Sequence, residues 1–419
     1  MKHAKGHEFM WGIDRLATGR LSNTRQRLCD GHVAVLTHDA AVDRSGRQTL
    51  KVLQQLGISP KVVFTPEHGL SGAEQAEQQT PAQDAASLGV AAAAQEARIV
   101  SLYGDSKQSL TPSAESLEGV NHLVIDLADV GSRYYTFVWT ALLAARAAAA
   151  RGIHTLVLDR PNPISGDPET LEGKPQDDDF TSFVGLEPLP IRHAMTIGEI
   201  LAHFFERDGH ALGPQGALSV VATRGWERLR TADAWARPFI PPSPNMPTVQ
   251  TALVYPGGCI LEGTNLSEGR GTTTPFQIVG APFLDRNTLC ASLIDAALPG
   301  VMIRPVSFRP TFDKFAGQLC HGVMLHVTNP TMFRPVATYL ALIALARSQA
   351  PTQFEFRTTP YEFENDRFAF DLLTGNSAAR EALQAGASPH DVASCVTPVD
   401  PSWKDLVLAA EDRLEKAHA

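Results

Sequence analysis

The sequence predicts an α/β protein built on a doubly wound, mostly parallel sheet, followed by a second, smaller α+β domain. Three observations predict it. Short apolar runs recur through the first part of the chain and leave through polar residues; stretches with apolar residues at helical spacing lie between them; and the alternation gives way beyond about residue 280.

In order, the predicted strands are HVAVLTHDA (32–40), KVVFTPEHG (61–69), RIVSLYG (98–104), HLVIDLADVG (122–131) and HTLVLDRPNP (154–163). Each is rich in Val, Ile and Leu, as a strand covered on both faces requires. Between and after them, SGRQTLKVLQQLG (45–57), YTFVWTALLAARAAAARG (135–152) and MTIGEILAHFFERDG (195–209) carry 3.6-residue periodicity and a Gly stop, and are predicted helices. The stretch from Pro238 to Thr274 is dense in Pro and Gly and predicts an ordered, irregular loop over a site. Beyond it, SFRPTF (307–312), HGVMLHVTNP (321–330) and RPVATYLALIALARSQ (334–349) predict strands and a helix, and the tail from Tyr361 belongs with them. The expected division is residues 1–277 and 278–419. Alanine-rich patches stand near residues 85 to 94 and 141 to 150.

Bulk properties narrow the function. At 419 residues two domains are the default, and 43% hydrophobic with 19% charged residues is ordinary for a globular chain. A net charge of -9 without a Lys/Arg cluster argues against nucleic acid or an anionic membrane as partner. The five cysteines, Cys29, Cys259, Cys290, Cys320 and Cys395, form no CxxC pair, so neither a disulfide framework nor a metal site is expected. The N-terminal MKHAKGHEFMWGIDRL places His7, Glu8, Asp14 and Arg15 where an export signal needs an apolar stretch, so a cytoplasmic location is expected. No stretch approaches the roughly 20 apolar residues of a membrane span.

In open parallel sheets ligands bind beyond the carboxyl ends of the strands. There the chain delivers Glu67 and His68 in PEHG, then Asp126 and Asp129, then Asp159, Arg160 and Asn162. Acids at successive strand ends suit hydrolysis in which one carboxyl donates a proton and another stays ionised. Against this, Glu67 and Asp129 could equally cap the segments that follow them, and His68 could be a positioning partner. Asp126 lies within an apolar strand, so it is either hydrogen-bonded structure or a functional acid. In DVGSRYYT, Arg133 could hold a carboxylate and Tyr134 could stack on a sugar, or both could be core. The glycine-punctuated EGTNLSEGRGTTTPF adds Glu262, Asn265, Glu268 and Arg270, and PPSPNMPT adds Asn245.

Six blocks, PEHGLSG (66–72), DLADVGSRYYTFVWT (126–140), LDRPNPISG (158–166), PPSPNMPT (241–248), EGTNLSEGRGTTTPF (262–276) and DLLTGN (371–376), together resemble the signature of the NamZ-type exo-β-N-acetylmuramidases. The resemblance implies a Rossmann-like N-terminal domain joined to a smaller C-terminal one. It implies release of N-acetylmuramic acid from the non-reducing end of peptidoglycan-derived saccharides, with no cofactor, and a catalytic glutamate in the PEHG block, here Glu67. Gln277 departs from the pattern, which leads one to expect Glu after PF.

The resemblance and the residues agree on a polar saccharide pocket. The substrate's lactyl carboxylate requires a cation, for which Arg133 and Arg270 are the candidates. Asp126, Asp129, Glu262 and Glu268 compete for the second carboxylate, and its distance from Glu67 would report retention (about 5–5.5 Å) or inversion (about 6.5–9.5 Å). Two rivals remain. A Ser/His ester or amide hydrolase lacks its GxSxG elbow, since Ser71, Ser132 and Ser165 lie in other contexts. A non-catalytic sugar-binding protein would use the same pocket without moving a proton. Oligomeric state is not legible.

Overall fold

A computed structural model describes residues 8–19, 21–75 and 97–418. The alanine-rich patch at 85 to 94 lies outside the described residues. Six strands, β1 Val33–Thr37, β2 Val62–Thr65, β3 Arg98–Ser101, β4 His122–Asp126, β5 His154–Leu158 and β6 Leu218–Val221, form one sheet in the order β3-β2-β1-β4-β5-β6, every pair parallel. This is the Rossmann-type strand order, and it reverses between β1 and β4. Helices α1 Gly12–Ala17, α2 Ser22–Asp30, α3 Thr49–Gln55, α4 Phe137–Ala149 and α5 Ile197–Arg207 accompany it.

Successive residues face opposite sides, and both sides are apolar. Ala34, Leu36, Phe64, Leu123 and Ile125 join one buried cluster, whereas Val33, Val35, Val63 and Val124 join another with Trp11, Leu16, Leu50 and Leu53. Double-sided burial explains the continuous apolar runs of the sequence. The five predicted strands and the three predicted helices of this part are present; β6, only four residues long, is an addition.

The stretch expected to be an irregular loop contains instead a buried helix, α6 Val249–Gly258, continued by a 3-10 turn at Cys259–Gly263. Thr248 caps it, its Oγ1 accepting the Thr251 N–H at 3.1 Å. The glycines misled because they serve packing rather than a turn. A Cβ on Gly257 would lie 2.1 Å from the Pro335 carbonyl oxygen.

Strands β7 Ile278–Ala281, β8 Val301–Phe308 and β9 Cys320–Val327 form a second, antiparallel sheet in the order β7-β9-β8. Around it lie α7 Arg286–Asp295, α8 Pro335–Gln349, α9 Ala369–Thr374, α10 Ala378–Gln384, α11 Pro389–Ser394, α12 Pro401–Leu408 and α13 Ala410–Lys416. The larger apolar cluster runs from the six-stranded sheet through α6 to Val323, Leu325 and Leu340 without interruption. Two polar links reinforce the junction. Glu172 accepts the Val336 and Ala337 N–H groups at the start of α8, at 3.1 and 2.8 Å, and the outer edge of β6 is engaged by the Val220 N–H to Ala417 carbonyl bond at 2.7 Å. No described helix is long and apolar enough to cross a membrane.

Candidate active site

At the carboxyl ends of the strands, the turns that follow β2 and β4 bring Glu67 and His68 together with residues 134–136. After β2 the chain turns through Pro66, Glu67, His68 and Gly69, with left-handed backbone at His68 (φ 69°) and Gly69 (φ 75°). Gly69 N–H closes the turn on the Pro66 carbonyl at 3.1 Å, and His68 Nδ1 bonds the Glu74 carbonyl at 2.7 Å, so that nitrogen carries the proton. Glu67 is 5% exposed, and its Oε2 accepts the Thr136 hydroxyl at 2.7 Å, at the threshold of α4.

Behind this turn His38, just past β1, accepts the Ala128 N–H on Nε2 at 3.0 Å and so ties the β1 and β4 ends together. Burial first, then the Arg160 and His68 charges, push its pKa down to about 3 against an opposing bond to the Pro242 carbonyl. It is a neutral structural imidazole.

The second half of the site comes from residues 262–276 and the tail. Glu262 Oε1 pairs with Arg270 Nη2 at 2.6 Å, and its Oε2 accepts the Tyr361 hydroxyl at 2.8 Å. Arg270 Nε meets Glu268 Oε1 at 3.2 Å, and Glu268 Oε2 receives Lys314 Nζ at 3.0 Å. Burial opposes the Arg270 charge, but Glu262 and Glu268 outweigh it and hold its pKa above the usual value. Burial likewise opposes the Glu268 charge, and Lys314 and Arg270 win, keeping its carboxyl below the usual range.

Tyr361 and Glu364 exchange both main-chain bonds at 2.9 Å across a two-residue turn whose central residues, Glu362 (φ 47°) and Phe363 (φ 65°), are both left-handed. Such turns normally take Asn or Gly, and non-glycine residues there carry about 1–3 kcal/mol of strain each. The turn presents Glu362, 7% exposed, to the Tyr103 hydroxyl, 3.0 Å from Oε2.

These pieces line two adjoining chambers. The inner one, about 30 Å³, is lined by Glu67, His68, Tyr134, Thr136, Asn245, Glu262, Arg270, Phe276, Tyr361 and Glu362, among others. The outer one, about 730 Å³, is lined by Glu262, Asn265, Glu268, Arg270, Lys314, Arg357 and neighbours. The outer volume lies within the range of small-ligand sites, about 300–1,000 Å³, and the inner has room for about two waters. Nine non-glycine residues of the described chain have positive φ; His68, Phe276 and Glu362, from three distant segments, all border the inner chamber. Strain gathered at one cavity is a mark of a functional site.

Of the residues singled out from sequence, Glu67, His68, Tyr134, Asn245, Glu262 and Arg270 thus meet at the inner chamber, and Asn265 and Glu268 at the outer. Asn245 donates to Gln75 Oε1 at 2.7 Å; Asn265 bonds the Gln353 carbonyl and the Glu355 N–H, at 2.7 and 3.0 Å.

Three expectations are corrected. Arg133 does not meet a ligand carboxylate: it is fully buried and its guanidinium donates to the Lys174, Leu189 and Leu373 carbonyls at 3.1, 3.3 and 2.7 Å. Asp126 is fully buried, bonded to Arg160 and Thr49, with Arg160 Nη2 3.0 Å from its Oδ2, and is structural. Asp129 borders a different small cavity with Trp11 and Arg160, and its Oδ2 takes the Gly131 N–H at 2.9 Å and faces His193 Nε2 at 3.5 Å. Gln277, at the position of departure, donates to Thr251 Oγ1 at 3.1 Å. Thr136, Tyr361 and Glu362 were not read from sequence. Among the described residues no three His, Cys, Asp or Glu side chains gather so as to hold a metal ion.

Comparison with known proteins gives consistent matches. Residues 33–250 match the family model described as exo-beta-N-acetylmuramidase NamZ, N-terminal, and residues 253–407 match its C-terminal counterpart. The chain is 38% identical over 390 residues to the peptidoglycan beta-N-acetylmuramidase NamZ of Bacillus subtilis (strain 168), covering 93% of this chain and 87% of that one. Among solved structures, a DUF1343 family protein of Bacteroides fragilis NCTC 9343 has a TM-score of 0.79 at 25% identity over 98% of both chains. A second from that organism, at 22% identity and TM-score 0.66 over 98% of this chain and 99% of its own, shows likeness of fold.

Proposed function

This chain belongs to the NamZ family of exo-β-N-acetylmuramidases, and from that premise we propose that it frees terminal β-linked N-acetylmuramic acid from peptidoglycan fragments, with Glu67 as the proton donor. The observation that carries the residue assignment is convergence: Glu67 from the end of β2 shares one strained chamber with Glu262 and Glu362, from distant parts of the chain. The part up to residue 277 supplies Glu67 and Glu262, and the part beyond it supplies Tyr361 and Glu362.

In this reading the glycosidic oxygen takes the Glu67 proton as its bond to the anomeric carbon breaks. Glu262, paired with Arg270 in the resting site and bonded by the Tyr361 hydroxyl, is the carboxylate that opposes the positive charge developing on that carbon. Water supplies the hydroxyl that ends on the sugar, and its remaining proton restores the carboxyl pair. Thr136 orients Glu67, and the outer chamber accommodates the saccharide. A cytoplasmic place of action belongs to the same reading; five free cysteines support it.

The test is nitrophenol release from a β-linked N-acetylmuramic acid glycoside, with the N-acetylglucosamine analogue alongside. Glu67→Gln should lower kcat about 10²–10⁴-fold with little change in melting temperature. Unimpaired turnover by the variant would remove Glu67 from the role.

A further inference from the structure

Among the described residues, only Glu262 and Arg270 border both chambers, and their ion pair lies where the two adjoin. A pyranose does not fit in about 30 Å³, so a wall of the inner chamber has to move before a sugar carbon meets Glu67, and the Glu262–Arg270 pair is the wall that faces the larger chamber. Both halves have a second partner: the Tyr361 hydroxyl donates to Glu262 Oε2 at 2.8 Å, and Arg270 has a carboxylate on each side. Arg270 is anchored from behind, through Nε to Glu268 at 3.2 Å, with its guanidinium over the Phe276 ring at 5.2 Å. Glu268 is itself locked by Lys314, whose Nζ also donates to the Leu261 and Leu266 carbonyls at 2.9 and 3.1 Å. The exchangeable contact is therefore the Nη2 end, where Glu262 sits at 2.6 Å.

Building on the muramidase reading, we propose that the substrate's own lactyl carboxylate takes the place of Glu262 on Arg270, so that binding of the correct sugar opens the inner chamber and sets Glu262 beside Glu67 as the second, ionised carboxylate. Swapping one carboxylate for another leaves the buried guanidinium paired and only Glu262 to be held by the Tyr361 hydroxyl, whereas a neutral sugar that separated the pair would leave both buried charges without a counterion. Arg270 is thus the specificity-determining residue, and the discrimination lies in the chemical step as well as in binding. No bond to the lactyl group forms or breaks; only the partners of one guanidinium change.

The experiment compares the chromogenic β-N-acetylmuramic acid glycoside with its lactyl methyl ester on the native chain, and separates kcat from KM. The exchange predicts that esterification lowers kcat at least about a hundredfold in addition to raising KM, and that Arg270→Lys, which lacks the fork to hold Glu268 and a second carboxylate together, erodes this difference. If that variant does not fold, the substrate pair on the native chain still decides. An ester whose kcat equals that of the free acid overturns the exchange, even if its KM rises, because the carboxylate then only adds affinity. No hydrolysis of the free acid by the native chain is a different result and overturns the muramidase reading itself.

Discussion

The turn that carries Glu67 could be read from sequence because it is local: its left-handed residues are written in PEHG within four positions. Arg133 could not, since a guanidinium that meets a ligand and one that meets carbonyls have the same neighbours in sequence. Its partners lie 41, 56 and 240 positions away. Glu362 was hidden for the same reason, its Tyr103 partner being 259 positions distant. His38 carries a consequence for pH. Its pKa falls from 6.5 to about 3 on folding, so its contribution to stability is complete above pH 6.5 and is lost as the pH drops toward 3. At pH 5 the loss is about 2 kcal/mol. Urea midpoints of the native chain and of His38→Asn at pH 7 and pH 5 check this: the native chain should lose about 2 kcal/mol more than the variant between the two. Equal losses in both would mean that protonation of this imidazole does not matter.

At the scale of elements, apolar runs and helical periodicity located the strands and helices of the first part, because burial on both faces of a parallel sheet imposes a pattern that short windows retain. The misreading of α6 has a physical origin. A glycine needed because another backbone comes close is the same letter as a glycine needed for a turn, and YPGG offers no clue as to which applies. The two roles respond differently to substitution. Gly257→Ala places a methyl 2.1 Å from the Pro335 carbonyl oxygen, a backbone atom that cannot swing aside. The expected loss is about 3 kcal/mol or more, read as a drop in urea midpoint. A loss below about 1 kcal/mol would show that α8 shifts at little cost and that the contact does not fix the helix pair.

At the scale of the molecule, the site exists only because two sheets of different topology share one core. Glu172 is a measure of that junction: burial raises its pKa to about 7, the Val336 and Ala337 N–H groups pull the other way, and both N–H groups point at it from the start of α8. Glu172→Ala leaves those donors without their acceptor, and a loss of about 2–3 kcal/mol is expected, seen as a lower melting temperature. A variant that melts with the native chain would place the strength of the junction in its apolar contacts alone. The strand order itself was not legible, because nothing in a run of Val and Leu names its neighbour.

The bond from the Val220 N–H to the Ala417 carbonyl sets a timetable for the newborn chain. A ribosome delivers the six strands of the parallel sheet while roughly the last two hundred residues are still unmade, and until then the flank of β6 offers that donor to any passing strand. The nascent protein is therefore exposed to sticking to a neighbour through the second half of translation, when its parallel sheet is nearly shaped and the segment that covers this flank has yet to emerge.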